Sequence, residues 1–173
     1  GEADKFFAGK ELRFFEDTTI VDVSAEEVTP DEEGWLKATT LGQVAYLWDY
    51  TINEENRTVV LESFKGLDTK TTDVKVEIPR EVEGYKVALA DLNNDVFNGV
   101  THIRVAEGEE SVKVLATELV RGFENNSNLK HVDFEGLDVS EVTNMTGLFQ
   151  NCVNLRVIEL LGWEFKEDVI TTG

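Results

Sequence analysis

Residues 123–136 read Phe-Glu-Asn-Asn-Ser-Asn-Leu-Lys-His-Val-Asp-Phe-Glu-Gly, and residues 149–162 read Phe-Gln-Asn-Cys-Val-Asn-Leu-Arg-Val-Ile-Glu-Leu-Leu-Gly. The second stretch repeats the first at a displacement of 26 residues, with identical or chemically similar residues at most positions. A fixed period of about 20 to 50 residues is typical of stacked supersecondary units. Both stretches contain the spacing apolar-x-x-apolar-x-apolar, the strand core of a leucine-rich repeat. Its residues are Leu129, Val132 and Phe134, then Leu155, Ile158 and Leu160. The sequence therefore predicts a solenoid.

The same pair of apolar positions recurs upstream and extends the predicted array to about four short strands. The pairs are Val76/Ile78, Ile103/Val105, Val132/Phe134 and Ile158/Leu160, at spacings of 27, 29 and 26 residues. A second register has a constant spacing of 26 residues and consists of Phe97, Phe123 and Phe149. Residues 88–96 and 114–121 can form short helices or turns between the strands. We therefore predict an α/β solenoid, a right-handed leucine-rich-repeat array.

A β-hairpin is predicted immediately before the array. Residues 46–52 and 57–64 alternate between apolar and polar side chains, and residues 53–56 are rich in turn formers. The aromatic face of the first strand would consist of Tyr46, Trp48, Tyr50 and Ile52. Residues 46–173 are thus predicted to hold the hairpin and the repeats. The last repeat, which begins at Gly162, is incomplete, so we expect a segment of a longer array.

Residues 1–45 form a different kind of sequence, and we predict a small helical cap at the start of the array. Residues 1–34 contain 11 acidic residues against 3 basic ones. Residues 4–15 fit an amphipathic helix. Ser24, followed three residues later by Glu27, resembles the start of a second helix. The predicted role is to cover the first strand of the array.

The charge of the chain argues against two classes of partner. Sixteen basic residues against 35 acidic ones give a net charge of −19. Nucleic acids and anionic membranes both require neutralisation by lysine and arginine, so neither is an expected partner. No apolar run approaches the length of about 18 residues that spans a bilayer, so membrane insertion is not expected. Cys152 is the single cysteine, which rules out an intrachain disulfide, and its place in the repeat indicates a small, buried filler.

The sequence contains no catalytic motif that we recognise. His102 and His131 are the only histidines, and they form neither a metal-binding pair nor a triad spacing. A dyad of His131 with Cys152 is disfavoured because the repeat register places them apart. Residues 17–27 faintly resemble a calcium loop but lack its glycine and alternating aspartates. We predict no enzyme activity, no cofactor and no metal site, and a calcium-dependent N-terminal module remains an alternative.

The segment 137–152 resembles the repeat of BspA-like bacterial surface proteins. It reads Leu-Asp-Val-Ser-Glu-Val-Thr-Asn-Met-Thr-Gly-Leu-Phe-Gln-Asn-Cys, whereas the family unit reads approximately D-T-S-x-V-T-N-M-x-x-M-F-x-x-C. The resemblance covers about residues 46–165, with Val139 and Leu148 departing from the usual threonine and methionine. It implies a secreted or wall-attached bacterial protein without catalysis, associated with adhesion to host matrix or to other bacteria.

The fold indicates where binding would occur. Because alternate side chains of a strand point in opposite directions, the neighbours of the inward pairs lie on the outer side of the sheet, a surface that solenoids use for partners. The candidate binding residues are Lys75, Glu77, Arg104, His131, Asp133, Glu135 and Glu159. Their mixed charge suggests a protein partner, a host-matrix or bacterial surface protein, bound by a monomer. The alternative is a structural spacer that holds a distal binding domain.

Overall fold

The computed structural model describes residues 23–66, 73–161 and 163. Within these residues the chain forms eleven strands and one helix. In chain order they are β1 (Trp35–Leu36), α1 (Leu41–Leu47), β2 (Trp48–Asn53), β3 (Thr58–Phe64), β4 (Lys75–Ile78), β5 (Glu81–Val82), β6 (Tyr85–Leu89), β7 (His102–Val105), β8 (Val112–Val114), β9 (His131–Asp133), β10 (Leu137–Asp138) and β11 (Val157–Glu159).

The first sheet is parallel throughout and contains the predicted strands. Its order is β1-β4-β7-β9-β11. Val76 pairs with Ile103, Ile103 with Val132, and Val132 with Ile158. Residues about one repeat apart in sequence are therefore neighbours in space, and the prediction of a solenoid is confirmed.

The second sheet returns the chain between successive strands of the first. Its order is β10-β8-β6-β3-β2, with β5 beside β6. The predicted hairpin is confirmed, because β2 and β3 pair antiparallel from Trp48 with Phe64 to Asn53 with Thr58. β3 then pairs in parallel with β6, β6 with β8, and β8 with β10. The hairpin thus supplies the two strands at one edge of the second sheet. The fold is mostly β.

An aromatic column runs along the core from unit to unit. The ring centroids of Phe97 and Phe123 lie 6.1 Å apart, and those of Phe123 and Phe149 lie 5.8 Å apart at an interplanar angle of 7°. Trp48 meets Phe97 edge-on at 5.7 Å. All four side chains are buried. The constant spacing of the phenylalanines therefore reflects direct contact between equivalent residues of successive units, which adds to the stabilisation from apolar burial.

Asparagines link the turns of successive units. Asn125 and Asn151 both adopt left-handed backbone conformations, with φ of 63° and 59°, which asparagine tolerates better than most residues. The amide of Asn151 donates to the side-chain oxygen of Asn125 at 2.7 Å. The amide of Asn154 donates to the carbonyl of Ser127 at 2.7 Å. Side chains at these repeat positions thus join one unit to the next.

The helical part of the predicted fold is smaller than expected. Residues 88–96 and 114–121, for which short helices or turns were predicted, contain strand ends and turns and no helix. Tyr46 was predicted to begin a strand, but Thr40 caps α1 by accepting from the amide of Gln43 at 3.1 Å. The helix continues to Leu47, so the aromatic alternation holds only from Trp48 onwards.

The prediction of a helix that starts at Ser24 is also wrong. Residues 23–31 contain no helix or strand. Glu26 bonds instead to the start of α1, because its amide donates to the Gly42 carbonyl at 2.9 Å and its carboxylate accepts from the Thr40 hydroxyl at 2.7 Å. These contacts compete with a local capping box. The helix predicted at residues 4–15 lies outside the described residues.

Truncation of the central ring of the aromatic column is expected to destabilise the whole array. Phe123→Ala should lower the free energy of unfolding by about 3–5 kcal/mol, because a fully buried ring leaves a cavity between two units. Urea unfolding followed by circular dichroism measures this. Val153→Ala is the control, since Val153 is 60% exposed. A loss below about 1 kcal/mol in Phe123→Ala would contradict a core shared between units.

Candidate functional site

The outward side chains of the first sheet form a continuous surface, which we call the strand face. Its residues are Trp35, Lys75, Glu77, His102, Arg104, His131, Asp133, Val157 and Glu159, aligned by the strand register. The inward partners Val76, Ile103 and Val132 are fully buried. The strict alternation of strands fixes these nine side chains on one side of a rigid sheet.

Trp35, Glu77 and Arg104 form a compact cluster on the early strands of the face. The guanidinium carbon of Arg104 lies 3.8 Å from the centroid of the Trp35 ring, a cation–π contact. Its Nε and Nη2 both lie 2.9 Å from the same carboxylate oxygen of Glu77. Trp35 is only 8% exposed as a result. These side chains already contact one another. They therefore stabilise the face and are less free to bind a partner.

Basic side chains gather where the strands begin. Lys75, His102 and His131 share one register position on β4, β7 and β9, and Lys130 and Arg156 each precede a strand. We call these five residues the basic row. The rings of His102 and His131 lie 5.8 Å apart. Lys130 donates to Asp73 at 2.8 Å, and this hydrogen bond is the main reason that the pKa of Asp73 is lowered.

Acidic side chains gather where the strands end. Glu77, Asp133, Glu135 and Glu159, which we call the acidic row, lie on or directly after β4, β9 and β11. The first three also line a groove of about 830 Å³ together with Glu107. Within the described residues, Asp133, Glu135 and Glu159 form no ion pair. The strand face therefore carries basic side chains at one edge and the carboxylates of Asp133, Glu135 and Glu159 at the other. At the acidic edge Arg104 offsets Glu77, and Lys37 and Arg80 also line the groove.

Arg80 supports the floor of this groove. Its Nε donates to the carbonyl of Ala106, and its Nη1 donates to that of Glu110 at 2.7 Å. Gly136 has a φ of 102°, a backbone conformation that favours glycine, and a Cβ at this position would lie 2.6 Å from Nη2 of Arg80. Arg80 thus fixes the turns that follow the strands, and it supplies positive charge beneath the acidic row.

All seven residues predicted as candidates lie on or beside the strand face. Lys75, Glu77 and Arg104 have partners within the chain, since the ammonium of Lys75 donates to the Glu33 carbonyl at 3.0 Å and Arg104 binds Glu77. Asp133, Glu135 and Glu159 lie on or directly after later strands and have no side-chain partner outside their own turn among the described residues. The side chain of His131 has a ring contact with His102, but no hydrogen bond or ion pair in that part of the chain. The later half of the face is therefore the more available half.

Two residues of the face were missed from the sequence. Trp35 lies in a two-residue strand about 40 residues before β4, outside any repeat register, so no periodic signal marked it. His102 could have been found, because the alternation that placed Arg104 outward also places His102 outward. Its Nδ1 lies 2.8 Å from the hydroxyl of Thr101, a buried polar residue.

The described residues contain no cluster of three or more histidine, cysteine or acidic side chains placed to hold a metal ion. Residues 17–22 of the proposed calcium loop lie outside the described residues, and Glu26 is bonded to Thr40. The thiol of Cys152 donates to the Phe123 carbonyl at 3.0 Å, and burial raises its pKa. His131 lies apart from it, on the strand face.

Comparison with models of known families, with curated proteins and with solved structures gives no match. Of the described residues, no helix is long and apolar enough to cross a membrane. The functional argument therefore rests on the geometry of the strand face.

Replacement of Arg104 by lysine is expected to expose Trp35. Lysine keeps the charge but loses the planar contact with the ring and the donor geometry towards Glu77, so Arg104→Lys should lower stability by about 0.5–1.5 kcal/mol and increase quenching of tryptophan fluorescence by acrylamide. The control is Arg156→Lys, because the Arg156 guanidinium contacts only backbone carbonyls among the described residues. Equal quenching in both variants would refute the shielding of Trp35 by Arg104.

Proposed function

We propose that this chain is a non-enzymatic recognition module that binds a protein partner through the strand face. The observation that carries the proposal is the division of that face into a basic row and an acidic row on a rigid parallel sheet. Complementary potentials across an interface guide partners and fix their orientation. A face that is basic at one edge and acidic at the other would select a partner whose charges are arranged in the reverse order. It would also bind that partner in a single orientation.

The shape of the array supports this proposal. Stacked units present a long, continuous surface that grows with each unit, and solenoids use such surfaces for binding. The later strands contribute His131, Asp133 and Glu159, whose side chains carry no ion pair in the described part of the chain, and Val157, which is 38% exposed. Polar groups beside an exposed apolar side chain are a composition suited to a protein interface.

The finer identity of the repeats belongs to the same proposal. We infer that the units are leucine-rich repeats of the BspA-like kind, wound in the right-handed sense. The support is the inward spacing Leu129, Val132 and Phe134, of which all three residues are buried, together with the segment 137–152. On this inference the protein is exposed at a bacterial surface or secreted, and its partner is a host-matrix or bacterial surface protein.

A structural spacer is the second candidate. It is favoured by the cluster of Trp35, Glu77 and Arg104, whose members are satisfied by one another and stiffen the early strands. A spacer needs stability along the array and no exposed partner site. The two functions differ in what they require of the later strands.

Removal of charge from the acidic row tests the recognition proposal. Asp133→Asn with Glu159→Gln should weaken binding to a cognate protein by about tenfold, the effect of losing two charge contacts worth about 0.5–1 kcal/mol each. Binding partners are first identified with the intact chain on a panel of extracellular-matrix proteins and on whole bacterial cells. Affinities are then measured by biolayer interferometry.

The control removes the same charge from the other sheet. Asp49→Asn with Glu62→Gln changes exposed residues of β2 and β3 and should leave binding unchanged. If the unchanged chain, the Asp133/Glu159 variant and the Asp49/Glu62 variant all bind with equal affinity, the strand face is not the binding surface. No binding to any member of the panel would favour the spacer.

A further inference from the structure

The basic row carries a feature that goes beyond general recognition, since two of its five members are histidines in contact. Resting on the recognition function proposed above, we propose that the basic row binds an acidic segment of the partner protein, and that protonation of His102 and His131 strengthens this binding. The occupant is a stretch of protein rich in aspartate and glutamate. The regulation is a response to mildly acidic pH.

The two histidines lie within one line of charge. His102 is paired with Lys75 on one side and with His131 on the other. The imidazole centroids are 5.8 Å apart, and the Trp35 ring meets His102 edge-on at 6.3 Å. When both histidines are neutral, they lie between the ammonium of Lys75 and the two other charged members of the row, Lys130 before β9 and Arg156 before β11. When both are protonated, positive charge extends from Lys75 through His102 to His131, with Asp73 held beside them by Lys130.

Thr101 allows His102 to change its charge without changing its position. The Thr101 hydroxyl oxygen lies 2.8 Å from Nδ1 of His102, accepts from the Val74 amide at 2.9 Å, and lies 3.1 Å from the Val74 carbonyl. The hydroxyl can donate to a neutral Nδ1. It can equally turn its hydrogen towards the Val74 carbonyl and accept from a protonated Nδ1. Both charge states of the ring are therefore supported in one orientation.

The surroundings of His102 favour its neutral form at neutral pH. Burial is the main cause that lowers its pKa, and Lys75, His131 and Lys130 add repulsion, while Asp73 acts in the opposite direction. On β11 the residue level with His131 is Val157, which is uncharged, and on β1 the ring of Trp35 is uncharged. A fall in pH through the range in which histidine titrates thus adds positive charge to the row.

Charge complementarity selects the occupant. The chain has a net charge of −19, and the acidic row lines the opposite edge of the same face, so on the strand face an acidic segment fits best along the strand starts. Bound there, its carboxylates would face the ammonium of Lys75 and both imidazoles. An acidic segment keeps its charge at about pH 5.5, because free glutamate titrates near pH 4.3. Lower pH therefore strengthens the attraction instead of removing it.

The test uses a fluorescently labelled oligo-glutamate peptide as the probe. Fluorescence anisotropy measures its affinity for the intact chain at about pH 7.5 and about pH 5.5 in the same moderate salt. The expected result is an affinity about three- to tenfold higher at the lower pH, the gain from two additional partly exposed ion pairs. His102→Gln with His131→Gln should bind equally at both pH values. An oligo-lysine probe should show no such gain.

Absence of oligo-glutamate binding at both pH values would overturn the inference, and so would a pH response that survives in the double variant. If the double variant is not folded by circular dichroism, His131→Gln alone decides, since its ring makes no hydrogen bond among the described residues; it should lose part of the response. The inference can fail while the recognition function stands. In that case a cognate protein still binds through Asp133 and Glu159, but without dependence on the histidines.

Discussion

The whole structure depends on the burial of apolar side chains between neighbouring units. The units of β7/β8 and β9/β10 each contribute one short strand to each sheet, and such a unit cannot bury its apolar face alone. Val76, Ile103 and Val132 become fully buried because each strand lies beside the next at the same register. The buried rings of Phe97 and Phe123 contact each other between neighbouring units. Stability is therefore shared along the array.

The candidate function follows from that constraint. Because the inward residues must keep their register, the outward residues between them are aligned as well, and rows of side chains arise across the face. The early strands of the face, β1, β4 and β7, are joined by the contact of Arg104 with Trp35 and Glu77. On the later strands the side chains of His131 and Asp133 form no ion pair in the described residues. The early strands thus have side chains that stabilise one another, and the later strands have charged side chains that a partner could contact. This arrangement suits recognition through charge.

The repeat register could be predicted from the sequence because it is carried by large apolar residues at fixed spacing, such as Phe123 and Phe149. Apart from the predicted hairpin, the second sheet was missed, although Ala88, Lys113 and Asp138 pair in series at 25-residue spacings. Its strands are two to five residues long in the array, which is too short for a clear alternation of apolar and polar residues. Trp35 could not be found, since its strand precedes the hairpin and follows no repeat. The helix predicted at Ser24 failed because Glu26 bonds to distant residues, which local patterns do not report.

The central claim is that equivalent residues of successive units lie side by side in one sheet. Nuclear Overhauser effects between backbone protons of β4, β7, β9 and β11 test it most directly. The account predicts cross-strand contacts that connect Val76 to Ile103, Ile103 to Val132, and Val132 to Ile158, in that order. Contacts from these residues only to their own sequence neighbours, or to strands in another order, would contradict it.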